Sequence, residues 1–218
     1  MKPMLFLPFA CYAGKKFSDK SISVKGKTTF TITGGIESYR KDYDFIFEAL
    51  ELTIEENANI SEQFKIIFLG TPKTKGNSYG WSIIKKAESF NKKFGEIITF
   101  YDHVYIDEEE YRQRIRETDV IVNPIKLDYY KYETFCSGLC ESITYSIPGL
   151  YPYGYSVIDE MSSSSLFFKD APELSELMLK LTSDNEYLNG LTKSALENSN
   201  NLSLEHYKNE LELFLGQT

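Results

Sequence analysis

Two apolar patterns alternate along the chain: short β-branched or aromatic runs, and longer stretches whose apolar positions recur at helical spacing. That alternation predicts an α/β domain with a parallel sheet and helices on both of its faces. The first strand spans Thr28–Thr33 and ends at Gly34-Gly35, and the helix after it places Tyr43, Ile46, Phe47, Leu50 and Ile54 on one side. A second unit pairs the strand Lys65–Leu69, closed by Gly70, with a helix over Tyr79–Phe94; the polar loop between them carries Pro72, Gly76 and Asn77. A third strand is expected over Ile97–Tyr101. Asp107 with Glu108, Glu109 and Glu110 then opens a helix whose later turns hold Arg112, Arg114 and Arg116, a charge order that suits the helix dipole. The strand Val120–Val122 stops at Asn123-Pro124, and an aromatic loop with Tyr129, Tyr130 and Tyr132 leads to a helix over Phe135–Tyr145. Pro148-Gly149 introduces a short strand around Leu150. After the serine run Ser162–Ser165 and the apolar Leu166-Phe167-Phe168, helical patterns cover Pro172–Leu181, Glu186–Asn198 and Ser203–Leu215.

Residues 1–27 differ from the rest. They hold one apolar run and then a Lys-, Ser- and Gly-rich stretch without a period, which reads as a strand and linker feeding the domain at 28–218. Within 218 residues, 42% are apolar and 26% charged, which is enough to build one large core and argues against disorder. The formal net charge of −8 opposes a general attraction to nucleic acid or anionic lipid. The longest apolar run, Met4 to Ala13, is interrupted by Pro8 and falls short of the roughly 20 residues a spanning helix needs. No membrane span and no secretory signal are expected. The odd count of 3 cysteines fits a reducing, cytoplasmic setting better than a disulfide framework.

In an open parallel sheet, ligands bind beyond the carboxyl ends of the strands. Those ends carry Gly34-Gly35 through Lys41, Gly70 through Asn77, Asp102 through Tyr105, and Asn123 through Glu141. Arg40 and Lys41 stand at the entry to the first helix, where two cations and backbone N–H groups can meet an anion; an Arg-Lys pair is equally an ordinary solvated surface pair. Glu133-Thr-Phe-Cys-Ser-Gly-Leu-Cys-Glu141 places one carboxylate before a helix and another inside it. Such a segment can accept from a diol with its inner carboxylate while its first N–H groups face a phosphate.

With these residues in order, the chain resembles the carboxyl-terminal, donor-binding half of a GT-B glycosyltransferase of the glycosyltransferase 4 type (glycosyl transferases group 1). The family pattern is a glycine-ended strand, a Lys opening the first helix, a later strand ending near Pro, and a Glu-x7-Glu segment followed by a small residue and Pro. Here these are Gly34-Gly35, Lys41, Asn123-Pro124, Glu133 with Glu141, and Ser146-Ile147-Pro148. The resemblance covers about residues 28 to 215. It implies a Rossmann-like fold, one half of a GT-B architecture, that binds a nucleoside diphosphate sugar and transfers the sugar, with retention, to a glycan or lipid-linked acceptor. By the same resemblance, Lys41 and Arg40 neutralise the diphosphate, Glu133 lies near the transferred sugar, and Glu141 accepts from the ribose. Gly34 and Gly35, with the backbone of Phe135, Cys136, Ser137, Gly138 and Leu139, cradle the phosphates, and His103 and Val104 pass near the base. No metal or other cofactor is required. The expected partner is an amino-terminal acceptor-binding domain or subunit, through which a cytoplasmic enzyme reaches the inner face of a membrane; residues 1–27 are then the strand and linker of that missing half.

This sequence departs from the pattern in three ways. Ile36 stands where the family commonly has Arg; the usual Glu-Gly-Phe-Gly start reads Glu133-Thr134-Phe135-Cys136, with the glycine delayed to Gly138; and the chain supplies one of the two domains that a complete enzyme of this architecture has. A non-catalytic nucleotide-binding or scaffolding domain and the donor subunit of a split enzyme are the alternatives. Cys136 and Cys140 lack a His or second Cys pair and read as core residues. His103 and His206 lack a nucleophile partner. Most of the tyrosines, and Trp81, read as packing.

Overall fold

The computed structural model describes residues 26–72, 74–76, 78–129, 136–155, 159–202 and 204–216. The strand and linker expected over 1–27 lie, apart from residues 26 and 27, outside the described residues. Six strands, β1 (Thr28–Thr33), β2 (Phe64–Leu69), β3 (Ile98–Thr99), β4 (Val120–Val122), β5 (Gly149–Pro152) and β6 (Ser165–Phe168), form one sheet in the order β3-β2-β1-β4-β5-β6. Every pairing between them is parallel. Helices α1 (Tyr43–Glu56), α2 (Ser78–Phe94), α3 (Glu108–Glu117), α4 (Ser137–Tyr145), α5 (Ala171–Ser183), α6 (Asn185–Asn201) and α7 (Leu204–Gly216) connect and flank it.

Residue alternation along the strands assigns the two faces. Phe30, Ile32, Ile66, Phe68, Val120, Val122 and Leu150 join one core with Ile46, Phe47 and Leu50 of α1, Ile83 and Ala87 of α2, and Leu174 and Met178 of α5. The intervening residues Ile67, Leu69 and Ile121 pack with Ile115 of α3, and Tyr151 packs with Leu139 and Ile143 of α4. The sheet is therefore covered on both sides, as its nearly continuous apolar strands require. Thr29, Thr31 and Thr33 of β1 are the exception, because they alternate with Phe30 and Ile32 yet are buried. Asp119 accepts from the Thr29 N–H at 2.8 Å, and the Thr31 and Thr118 hydroxyls pair at 2.7 Å. Thr33, at the end of the row, belongs to the site described below.

Apart from shifts of one to three residues at the ends of β2, α2, α5, α6 and α7, three differences from the sequence expectation stand out. β3 is shorter: at its start the Asn91 amide accepts from Ile97 N and Ile98 N and donates to Ile98 O at 2.7 Å, and Phe100 and Tyr101 lie past its end. α4 begins at Ser137, two residues after Phe135. β6 was not expected, since Leu166-Phe167-Phe168 is too short to show a period; it pairs with β5 from Ser165 onward. α1, α3, α5 and α6 each start with an Asp side chain accepting from a first-turn N–H. Cys136 occupies the same position before α4 and makes no such bond.

Candidate functional site

β1 lies between β2 and β4, where the strand order reverses, so the connections leaving β1 and β4 run to opposite sides and open a crevice at their carboxyl ends. β1 leaves through Gly34, whose φ of +80° strains any residue with a side chain. Its neighbours are close as well: a Cβ there would sit 2.9 Å from Ser137 Oγ and 3.1 Å from Lys41 Nζ, so both side chains would have to shift. Across the crevice, Asn123 follows β4 and is buried against the first turn of α4, where a Cβ on Gly138 would lie 1.8 Å from Asn123 Oδ1. Glycine at 138 lets α4 approach β4, which accounts for its delayed place in the segment.

Two strand exits are stapled together above this floor. Asp42 N donates to Pro124 O at 2.8 Å and Lys126 N to Arg40 O at 2.9 Å, with Lys41 and Ile125 bridged between them. The staple turns Lys41 inward. Its side chain is buried at 5% exposure, and Nζ donates to the Thr33 carbonyl. Burial lowers its pKa to about 8, against the opposing pull of the Glu141 charge. Arg40 turns the other way: its guanidinium donates to Glu37 Oε2 and stands 5.5 Å from the Tyr39 ring centre. The expected cation pair is thus one buried ammonium and one guanidinium engaged at the rim.

Glu141 lies in the second turn of α4. Burial raises its pKa to about 7, with the Thr33 hydroxyl and the Lys41 charge working in the other direction. Oε1 accepts from the Tyr111 phenol of α3. Oε2 is buried and has no hydrogen-bond partner, and neither do Thr33 Oγ1 and Asn123 Nδ2. The Thr33 hydroxyl is close enough to favour the ionised carboxyl but does not reach hydrogen-bond geometry, so both atoms stay unsatisfied. Native proteins seldom leave buried polar atoms unpaired, and three of the five such atoms among the described residues gather at this crevice.

The first N–H groups of a helix have no acceptor within it. In α4, Cys136 N instead donates to Tyr155 Oη at 3.1 Å and Leu139 N to Cys136 O at 3.1 Å, so the donors the helix can offer outward are those of Ser137 and Gly138. Ser137 is exposed at the mouth of the crevice. Glu133 and Phe135 lie outside the described residues. The loop after β3 is exposed: His103 Nδ1 is 3.6 Å from Asp102 Oδ1, and Val104 O accepts from Thr71 Oγ1 at 3.0 Å. Through Thr71, whose carbonyl accepts from Ile36 N at 3.0 Å, that loop is joined to the turn holding Gly35. Cys136 and Cys140 pack with Leu139, Ile143 and Tyr151, and no metal-ligating cluster occurs among the described residues. A surface depression on α6, lined by Asp184, Glu186, Tyr187, Gly190, Leu191 and Ser194, carries two carboxylates and is unsuited to an anion.

Sequence reasoning did not single out Thr33 or Tyr111, and it read Asn123 only as the end of its strand. The alternation of threonines in β1, and the isolated Tyr111 and Ile115 in an otherwise charged or polar helix, were the available signals.

The fold is that of the carboxyl-terminal, Rossmann-like half of GT-B glycosyltransferases. Among solved structures, the chain superposes on the C-terminal domain of the glycosyl transferase group 1 family protein LpcC from Francisella tularensis with a TM-score of 0.60 and 17% identity, covering 89% of this chain and 97% of that one. Sucrose-phosphate synthase from Thermosynechococcus elongatus gives a TM-score of 0.57 at 18% identity, over 88% of this chain and 45% of that protein. An E. coli trehalose-6-phosphate protein bound with UDP-2-fluoro glucose gives 0.60 at 12% identity, over 88% and 44%. The chain therefore spans less than half the length of these two larger proteins. No family model and no curated protein matches the sequence. No helix among the described residues is long and apolar enough to cross a membrane.

Proposed function

We propose that the chain is the donor-binding half of a glycosyltransferase, taking a nucleoside diphosphate sugar at the crevice between β1 and β4. The observation that carries this reading is the buried Lys41 ammonium facing Gly34 and Ser137, with the unpartnered Glu141 Oε2 beneath. The cation and the two leading N–H groups of α4 suit a diphosphate, and the deeper carboxyl oxygen suits a hydroxyl of the attached ribose.

In the transfer step, the bond between the sugar's anomeric carbon and the diphosphate oxygen breaks as that carbon bonds an acceptor hydroxyl oxygen, the hydroxyl proton leaves with the diphosphate, and negative charge grows on the diphosphate. Lys41 stabilises that charge from a position already desolvated, and Arg40 adds to it by exchanging Glu37 for phosphate. Glu133 attends the transferred sugar, His103 and Val104 flank the base, and no metal is required. The acceptor is a glycan or lipid-linked sugar supplied by an amino-terminal domain or subunit, the transfer retains configuration, and the enzyme works in the cytoplasm. Calorimetric titration with UDP, GDP, ADP and their sugar conjugates tests the reading, with Lys41→Ala and Glu141→Ala alongside. Binding that weakens in both variants supports it; unchanged affinity in both, or no binding by any compound, overturns it. The engaged Arg40 and the replacement of a phosphate-facing glycine by Cys136 favour a second reading, a nucleotide-binding domain without transferase activity. Binding without transfer, in the presence of the other half and acceptor, would select it.

A further inference from the structure

Helix α3 is charged or polar along its length except for Tyr111 and Ile115, one turn apart. Ile115 is fully buried among Ile67, Leu69, Tyr101, Ile121 and Ile147, which fixes the face that α3 turns to the sheet. Tyr111 lies on that same face one turn nearer the helix start, and α3 follows the loop that leaves the carboxyl end of β3. The ring is thereby carried to the rim of the crevice, where its hydroxyl donates to Glu141 Oε1.

A glutamate on α4 near a buried ammonium has an obvious alternative, which is to close onto Lys41 and quench both charges. Among the described residues no ion pair joins Lys41 and Glu141; Lys41 Nζ donates to the Thr33 carbonyl instead, and Glu141 Oε2 is left without a partner. Tyr111 is the group that holds the other oxygen. We propose that Tyr111 is a positioning residue, which anchors Glu141 through Oε1 so that Oε2 receives a ribose hydroxyl of the donor rather than pairing with Lys41. This rests on the donor-binding reading above, and it assigns part of the site to a helix that the Glu-x7-Glu segment does not include.

The test is Tyr111→Phe, which removes only the hydroxyl. Affinities of the wild-type chain and the variant are measured for UDP and GDP, for their 2′,3′-dideoxy counterparts, and for inorganic pyrophosphate, with thermal melts as a check on folding. The wild-type chain should prefer the ribose form by about tenfold, the scale of a hydrogen bond to a charged group. Tyr111→Phe should reduce that preference to within about twofold while leaving dideoxy nucleotide and pyrophosphate affinities in place, and in a Glu141→Ala background it should have no further effect. An intact ribose preference in the variant overturns the assignment. So does an equal loss for every ligand, which is what a purely structural tyrosine gives. A wild-type chain that binds none of the nucleotides overturns the donor-binding reading itself, a failure visible before any variant is made. Should Tyr111→Phe not fold, the ribose preference of Tyr111→His, which restores a donor, decides between the same outcomes.

Discussion

Replacing Lys41 by methionine removes a buried ammonium while keeping an unbranched chain of similar length. The fall of its pKa from the usual 10.5 to about 8 corresponds to a cost of about 3 kcal/mol for carrying the charge in the folded protein at neutral pH. The lost hydrogen bond to the Thr33 carbonyl offsets about 1 kcal/mol of the gain. Lys41→Met should therefore be more stable than the wild-type chain by about 2 kcal/mol at pH 7, in line with buried charges replaced by apolar groups. The sign with pH follows from proton counting. Below the folded value of about 8, both states hold the proton and the penalty is complete; between about 8 and 10.5 the unfolded chain holds a proton that the folded one has released, so wild-type stability rises with pH. Urea unfolding of both proteins at pH 7 and near the upper end of that window measures the difference, which should be large at pH 7 and shrink above it. Affinity for nucleoside diphosphate should meanwhile fall more than about tenfold, since a charge-assisted contact is lost. A Lys41→Met chain that is less stable at pH 7, or that binds as the wild-type chain does, would refute the reasoning that this lysine is held at a cost for its ligand.

Glu141 predicts the mirror-image profile. Its pKa is raised from 4.5 to about 7, so between those values the folded protein binds more protons and stability should fall as pH rises, a slope that Glu141→Gln should flatten in urea midpoints across that window. Gly138→Ala would put a Cβ 1.8 Å from Asn123 Oδ1 and should cost about 2 kcal/mol or more of unfolding free energy as α4 is pushed off β4, with nucleotide affinity lowered in the same protein. Arg40→Ala should weaken nucleotide binding by only about threefold by calorimetry, because its guanidinium is partly exposed and must first leave Glu37.

Much of the fold is carried by local pattern. β1 and α1 follow from the alternation of Thr28–Thr33 and the helical spacing of Tyr43, Ile46, Phe47, Leu50 and Ile54, all of which are buried. Asp42, Asp107 and Asp170 cap helices from the positions where such residues are favoured. The failures have other causes. The start of β3 is bonded by the Asn91 side chain, six and seven residues back, a role that no hydrophobic period shows, and β6 exists because β5 offers it an edge. The same holds at the crevice. Sequence order brings Gly34, Lys41, Ser137, Gly138 and Glu141 to the right strand ends, but the inward turn of Lys41 depends on backbone bonds to Pro124 and from Lys126, far along the chain. Read alone, Arg40-Lys41 is an ordinary surface pair; only the staple separates the buried cation from the rim one. Tyr111 is legible as the inward face of α3, whereas its bond to a carboxyl 30 residues away is not.

Chemical-shift mapping of backbone amides during titration with UDP and GDP tests the shared crevice most directly. The account predicts that the largest changes fall on Gly34, Gly35, Ser137, Gly138 and Glu141 together, saturating at one ligand concentration. Changes confined to the α6 surface around Asp184 and Gly190, or Gly34 and Ser137 responding at separate concentrations, would contradict it.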